Sequence, residues 1–198
     1  MATYNPLEKR ALAESVAKAL LSRPVEPLPP DKTFDGAGIY VIYYTGDFPR
    51  YAPISDRNHE GRCDRPIYAG KAVPKGARKG GFSFEQKAGQ VLYNRLKEHA
   101  DSIKSTGNLK LDDFRCRYLA VDDIWIPLAE SLLIEMFSPL WNKKVEGFGN
   151  HDPGKGRYAG KRSSWDTIHP GRTWADRCNP NRRNAQEILA DVKEYLSN

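Results

Sequence analysis

The chain has few cysteines, no long apolar run and no leader-like start, and each absence argues against a class of protein. Its three cysteines, Cys63, Cys116 and Cys178, lie far apart and form no Cys-x-x-Cys pair. We therefore expect reduced thiols and no zinc finger or knuckle. No segment approaches the roughly 18 apolar residues of a membrane helix, so we expect no membrane protein. The first residues lack the basic and then apolar pattern of a secretory signal, which predicts a cytoplasmic protein.

Positive charge is concentrated in one part of the chain. The 198 residues carry a net charge of +6, and the segment from Lys143 to Arg183 holds ten Lys/Arg against four Asp/Glu. The remainder of the chain is therefore neutral. A neutral body with a basic, glycine-rich extension is typical of proteins that bind nucleic acid, although a solvated loop region has the same composition.

The hydrophobic pattern predicts an α+β fold with a small antiparallel three-stranded sheet flanked by helices. Runs of β-branched and aromatic residues predict the strands, and apolar residues at helical spacing predict the helices. The expected strands are 36–44, 66–72 and 114–121, and the expected helices are 6–22, 84–102, 127–137 and 185–196. Residues 23–30 contain four prolines and predict an extended strap, whereas the polar segment 46–65 predicts a long loop.

Polar side chains recur at defined places on these elements. The tripeptides Gly38-Ile39-Tyr40 and Tyr68-Ala69-Gly70 lie on the first two strands, and the later elements carry Arg95, His99, Glu130 and Asn142. Each has an ordinary explanation by itself, because strand tyrosines usually pack in a core and charged residues on a helix are usually solvated. Together they provide phenols, a guanidinium, an imidazole and a carboxylate. This set is suited to hydrolysis of a phosphodiester bond.

In this order the motifs resemble the GIY-YIG nuclease domain. The resemblance covers residues 35–145, with Ala69 at the usual isoleucine position. It divides the chain into an N-terminal helix and strap (1–34), a GIY-YIG nuclease core (35–145) and a basic DNA-binding extension with a C-terminal helix (146–198). The strap and extension also resemble the type II restriction endonucleases of this family that cut the palindrome CCGCGG. The resemblance therefore implies a Mg²⁺-dependent enzyme that cuts double-stranded DNA. A palindromic site read by one small chain implies a homodimer.

The resemblance also implies roles for a catalytic set consisting of Tyr40, Tyr68, Arg95, His99, Glu130 and Asn142. Glu130 would hold one Mg²⁺ ion, and Arg95 would contact the scissile phosphate. Either Tyr40 or His99 would take the proton of the nucleophilic water. Tyrosine has a pKa of about 10, so we expect Arg95 and the metal to lower that of Tyr40. Tyr68 would position the water or the phosphate, and Asn142 would fix the site by hydrogen bonding. The other histidines lack ligand-like spacing.

Basic residues in two segments are candidates for DNA contacts. Arg and Lys are the usual donors to guanine in the major groove, and the same residue types also contact phosphates. The candidates are Lys71, Lys75, Arg78 and Lys79 after the second tripeptide, and Lys143, Lys144, Arg157, Lys161, Arg162, Arg172 and Arg177 in and before the extension. Trp165 and Trp174 are expected to anchor the extension rather than to stack on bases.

Two other functions are compatible with parts of this pattern. A repair or homing nuclease of the same fold would share the motifs, but such enzymes attach separate DNA-binding domains. A non-catalytic nucleic-acid-binding module would share the basic extension. The complete set Tyr40, Arg95, His99 and Glu130 argues against that module.

Overall fold

A computed structural model describes residues 8–74 and 89–197 of the chain. Their helices and strands follow one another in an α+β arrangement. In chain order they are α1 (Lys9–Leu21), β1 (Glu26–Pro27), β2 (Gly38–Tyr44), α2 (Ala52–Asn58), β3 (Tyr68–Ala72), α3 (Val91–Lys104), β4 (Phe114–Ala120), α4 (Ile126–Phe137), α5 (Leu140–Lys143), α6 (Ser164–Ile168), α7 (Thr173–Asp176) and α8 (Ala185–Ser197).

The strands form one antiparallel sheet in the order β1-β4-β2-β3, which confirms the predicted fold class. All seven residues of β2 are buried, as its continuous run of apolar and aromatic residues predicts. The sheet has four strands rather than three because the proline strap contributes β1, in which Glu26 and Pro27 pair with Cys116 and Arg115. Proline has no N–H to donate, so this short strand fits only at the sheet edge.

The two faces of the sheet are covered by different layers. Helices α1 and α4 pack on one face, against alternate residues of β2 such as Ile39 and Val41. The other face carries Tyr40 and Ile42 and is covered by α3 and by residues that follow α5. Since successive strand residues point to opposite faces, the tripeptide on β2 sends its tyrosine toward α3.

Three predictions of local structure need correction. Residues 46–65, predicted to be a loop, contain α2 between two short 3-10 turns. Burial of Tyr51 and Ile54 in the core stabilises this short helix, and the polar residues around them give no sign of it in the sequence. Helix α3 begins at Val91, because Gly89 and Gln90, which were predicted to be helical, form a turn, and the predicted start at 84 lies outside the described residues. The sequence pattern predicts no helix or strand between residues 146 and 184, whereas the extension contains the short helices α6 and α7 there.

A buried contact between Tyr51 and His169 holds the extension (residues 146–198) against the rest of the protein. Tyr51 Oη lies 2.6 Å from His169 Nε2, and His169 Nδ1 lies 2.9 Å from Asn108 Oδ1. Trp141 Nε1 also donates to Tyr51 Oη at 3.1 Å. A neutral imidazole satisfies this arrangement, because it accepts at one nitrogen and donates at the other. Burial lowers the pKa of His169 from 6.5 to about 3.

The lowered pKa of His169 predicts that the protein loses stability in acid. Between about pH 6 and about pH 4 the unfolded chain binds a proton at residue 169 that the folded chain does not, so the free energy of unfolding falls as the pH falls. In His169→Gln, which keeps an acceptor for Tyr51 and cannot titrate, we expect that slope to decrease by about 1.4 kcal/mol per pH unit. Urea unfolding across this range measures it. His59→Gln, at an exposed site, is the control, and an equal decrease there would contradict the assignment.

None of the helices in the described ranges has the length and apolar character required to cross a membrane.

Candidate active site

Strand β2 and helix α3 bring together a buried phenol and a buried imidazole. Tyr40 Oη lies 2.6 Å from His99 Nε2, although the residues are 59 positions apart. The two side chains are 0% and 1% exposed. Alternation along β2 directs Tyr40 toward α3, and the helical turn that separates His99 from Arg95 places both on the face that meets it. Two residues of the predicted catalytic set are therefore in direct contact.

The pKa of Tyr40 does not shift in the direction expected from the sequence. Burial raises it well above 10, with a smaller rise from Tyr68, while Arg95 acts in the lowering direction and does not prevail. Burial also lowers the pKa of His99 well below 6.5, and the positive charge of Arg95 adds to this effect. Both shifts favour the neutral forms, so the pair is a phenol and a neutral imidazole at neutral pH. The lowered Tyr40 pKa that was expected from the sequence is therefore wrong for the resting site.

Tyr68 and Gly70 of β3 complete the surroundings of the Tyr40 hydroxyl. The rings of Tyr68 and His99 meet edge to face with centroids 5.3 Å apart, and Tyr68 is partly exposed. A Cβ atom at position 70 would lie 2.5 Å from Tyr40 Oη, which only glycine avoids. The second tripeptide therefore ends in glycine because the Tyr40 hydroxyl passes directly beside that backbone.

Asn142 fixes the edge strand that carries Tyr68. Its Oδ1 accepts from the N–H of Ala69, and its Nδ2 donates to the carbonyl of the same residue, both at 2.8 Å. The N–H of Trp141 also donates to the carbonyl of Ile67 at 2.9 Å. The amide side chain thus replaces the neighbouring strand that an edge strand lacks. This geometry agrees with a supporting rather than a reacting part for Asn142.

Arg95 is held by groups from its own helix and from the extension. Nη1 donates to Glu98 Oε2 at 2.9 Å and to His151 Nε2 at 2.6 Å, and Nη2 donates to the carbonyl of Gly149 at 2.7 Å. The side chain is 18% exposed. Its guanidinium is therefore fixed in direction while one edge of the side chain remains accessible, as a phosphate contact requires.

Glu130 of α4 lies at the same sheet edge but comes from the opposite layer. Its Oε2 is 2.7 Å from Lys71 Nζ, and its side chain is 20% exposed. Glu130 is close enough to contribute to the raised pKa values of Tyr40 and Tyr68. The carboxylate therefore already binds a cation, the Lys71 ammonium, beside the two phenols.

The donor set at Glu130 fits Mg²⁺ and does not fit a closed protein cage. Within residues 8–74 and 89–197, no group of three or more His, Cys, Asp or Glu side chains is arranged to hold a metal ion. Mg²⁺ is commonly held by one or two carboxylates, with waters and substrate phosphates at the remaining positions. A single accessible carboxylate that attracts a cation meets this description. Glu130 is the residue that would hold the ion.

The candidate DNA-binding residues occupy several environments. Lys143, Lys144, Arg157 and Lys161 are exposed, whereas Lys75, Arg78 and Lys79 lie outside the described residues. Lys71 is paired with Glu130 and would contact DNA only after leaving it. Arg162 is half-buried and donates to the carbonyls of Ala175 and Asp176, and Arg177 packs 4.0 Å from the ring centre of Tyr158 and pairs with Asp152.

Arg172 does not fit the expectation of a DNA contact. It is 5% exposed and forms a two-point ion pair with Asp166, with both N–O distances 2.7 Å.

Three residues that were not among the predicted site residues also border the site, namely Phe148, Gly149 and His151. Their sequence offers no periodic signal, because they lie in a glycine-rich segment whose position depends on contacts over about 50 residues of chain.

Comparison with known protein families agrees with this geometry. The family model described as the Eco29kI GIY-YIG domain matches residues 32–196, which include every residue of the predicted catalytic set. A search of curated proteins gave no significant match. The match covers most of the chain and includes the extension as well as the core. The chain therefore belongs to the Eco29kI family of GIY-YIG restriction endonucleases.

Proposed function

We propose that this protein is a type II restriction endonuclease that cuts double-stranded DNA at the palindrome CCGCGG with Mg²⁺ as cofactor. The observation that carries the proposal is the buried Tyr40–His99 hydrogen bond, in a site that also holds Arg95 and Glu130. The family match supports nuclease chemistry. The choice of palindrome rests on the resemblance of the strap and extension sequences to the CCGCGG-cutting group. We further propose that the protein acts in the cytoplasm.

In the proposed reaction Tyr40 and His99 act together on the nucleophilic water. A neutral His99 with its proton on Nδ1 accepts the Tyr40 hydroxyl proton at Nε2, across the 2.6 Å hydrogen bond. Tyr40 Oη takes a proton from water as it gives its own proton to His99, so the phenol ends neutral and the imidazole ends protonated. The water oxygen forms the new bond to phosphorus, and the bond to the 3′ oxygen breaks with its electron pair left on that oxygen, which then takes a proton from solvent. This relay avoids the phenolate that burial disfavours, and the imidazolium that it forms instead, which burial also disfavours, would be stabilised by the negative charge that develops on the phosphate.

The other residues of the set orient the phosphate. Arg95, fixed by Gly149 and His151, would direct its remaining donors to the non-bridging oxygens of the scissile phosphate. Glu130 would hold Mg²⁺, which supplies charge stabilisation at the departing 3′ oxygen. Lys71 would leave Glu130 at that stage and become available to a DNA phosphate. Tyr68, which is partly exposed and lies beside the buried Tyr40, would hold the water or the phosphate.

A palindromic site requires two copies of the chain, one for each strand. The exposed basic residues Lys143, Lys144, Arg157 and Lys161 would then contact phosphates or guanines on the two half-sites. Lys75, Arg78 and Lys79 remain part of this proposal on sequence grounds alone.

A pair of plasmids that differ only in one CCGCGG site tests the proposed function. With Mg²⁺ we expect the wild-type chain to linearise the plasmid that contains the site and to leave its partner intact, and excess EDTA should abolish cleavage. Linear product without a lasting nicked form would agree with a dimer that cuts both strands. Cleavage of both plasmids at other positions would overturn the specificity. Binding without cleavage in any divalent metal would favour the non-catalytic module.

A further inference from the structure

The buried arginine of the extension uses every donor it has inside the protein. Arg172 Nε and Nη2 donate to the two carboxylate oxygens of Asp166, each at 2.7 Å. Its guanidinium carbon lies 4.6 Å from the ring centre of Trp165 and 4.7 Å from that of Trp174. A planar guanidinium can form this two-point ion pair while its face packs on aromatic rings, whereas an ammonium cannot form the two-point pair.

The remaining donors of Arg172 hold one short segment of main chain. Nη1 donates to the carbonyls of Phe148 and Asn150, both at 3.1 Å, and Nη2 donates to the carbonyl of Gly147 at 2.8 Å. The five N–H donors therefore reach five acceptors, three of which lie within residues 147–150. We call these residues the 147–150 segment. Two of its four residues are glycines, which resist ordering unless outside contacts fix them.

The 147–150 segment forms a wall of the candidate active site. The ring of Phe148 stacks on His99 with centroids 4.5 Å apart and planes 18° apart, and it meets Tyr68 edge to face at 5.0 Å. The carbonyl of Gly149 accepts from Arg95 Nη2 at 2.7 Å. A Cβ atom at Gly149 would lie 2.6 Å from Tyr68 Oη, so the backbone passes directly over that hydroxyl.

We propose that Arg172 is a positioning residue of the nuclease site, which fixes the 147–150 segment so that Phe148 orients the His99 ring and Gly149 orients the Arg95 guanidinium. The inference rests on the proposed function. It assigns part of the basic extension to the construction of the active site rather than to DNA contacts. Asp166 shares this assignment, because it holds the guanidinium from the opposite side.

Two substitutions at position 172 test the proposal against a control of similar depth. Arg172→Gln removes the charge and most of the contacts, and Arg172→Lys keeps the charge but loses the fork. We expect kcat to fall by about 10–100-fold in Arg172→Gln and by less in Arg172→Lys, as for other residues that orient catalytic groups. DNA affinity, measured in Ca²⁺ without cleavage, should be unchanged. Each rate is divided by the fraction of the protein that is folded at the assay temperature.

Tyr51→Phe is the matched control. It removes the hydroxyl that bonds to His169 of the extension and accepts from Trp141 Nε1, while the Trp141 ring that packs on Phe148 stays in place and Tyr51 itself does not bond to the 147–150 segment. We expect Tyr51→Phe to lower the melting temperature and to leave kcat of the folded protein unchanged. A loss of kcat in Arg172→Gln that Tyr51→Phe reproduces would mean that Arg172 is only structural, which overturns the proposal.

An NMR titration of His99 in the DNA-free protein gives a readout that does not depend on activity. The titratable and charged groups around His99 are Tyr40 and Tyr68 from the strands, Arg95 from α3, and His151 and Arg172 from the extension. Burial is the main cause of the lowered pKa of His99, and the charge of Arg172 acts in the same direction. We expect Arg172→Gln to raise that pKa and Arg172→Lys, which keeps the charge, to raise it as well, because both variants loosen Phe148, and we expect Tyr51→Phe to leave it unchanged.

The two measurements separate the failure of this inference from the failure of the proposed function. If the wild-type chain does not cut DNA, the proposed function fails, and the His99 titration still decides whether Arg172 orders the site. Wild-type kcat in Arg172→Gln overturns the inference. So does weaker DNA binding with a salt slope reduced by about 1 and an unchanged kcat, which would make Arg172 a phosphate contact. Should Arg172→Gln not fold, the same comparisons are made with Arg172→Lys.

Discussion

Tyr40→Phe is expected to cut DNA about 10²–10⁴-fold more slowly than the wild-type chain, the range that proton transfer by a positioned side chain contributes. The substitution removes only the hydroxyl that joins the water to His99 Nε2, and it leaves the buried ring in place. Single-turnover cleavage of an oligonucleotide duplex measures the loss. Because the hydroxyl is required for the chemical step, we expect the DNA affinity in Ca²⁺ to stay the same.

Tyr43→Phe is the matched control for this experiment. Tyr43 lies on the same strand and is also 0% exposed, but it faces the layer of α1 and α4, where its hydroxyl accepts from Arg117 at 2.7 Å. Loss of this hydroxyl should leave cleavage unchanged. Equal loss of activity in both variants would show that any buried hydroxyl of β2 matters, and the proton relay would then be rejected.

Glu130→Gln is expected to lower cleavage by about 10³-fold, since a bound metal contributes several kcal/mol of charge stabilisation in the transition state. The amide has nearly the same shape but lacks the charge that Mg²⁺ requires. The same variant should lose binding of Mn²⁺, measured by electron paramagnetic resonance in the presence of uncut DNA. The two readouts together distinguish a lost metal from a distorted protein.

Glu135→Gln provides the comparison on the same helix. Glu135 lies five residues further along α4 and is exposed, so its carboxylate is the competing candidate for the metal. We expect full activity and normal Mn²⁺ binding in this variant. Loss of both in Glu135→Gln, with Glu130→Gln unaffected, would move the metal site to Glu135.

Much of the fold could be predicted from local pattern. The alternation of Phe114 to Ala120 and the apolar run from Gly38 to Tyr44 predict strands that are present, because strand period and β-branched composition are local properties. The start of α8 was also predicted, and Asn184 and Glu187 exchange the two hydrogen bonds of a capping box. Helix α2 was missed because tertiary burial of Tyr51 and Ile54, rather than an amphipathic repeat, stabilises it.

The residues of the candidate site could be predicted from the sequence, but their protonation states and ion pairs could not. Motif order names Tyr40, His99, Arg95 and Glu130, and the structure brings the first two into contact. The direction of the Tyr40 pKa shift could not be predicted, since it depends on how completely the surrounding chain excludes water. The ion pair between Lys71 and Glu130 likewise joins residues 59 positions apart, which no local pattern indicates.

The sequence by itself determined the α+β class, the order of the motif residues along it and the concentration of positive charge after Asn142. Only the tertiary structure decided what the charged residues of the extension do. A run of basic residues has the same composition whether its members face solvent or interior, so Arg157 and Arg172 look alike in sequence. One is exposed and the other is buried. The difference arises because Asp166, two tryptophans and three carbonyls, up to 25 residues away along the chain, converge on one guanidinium.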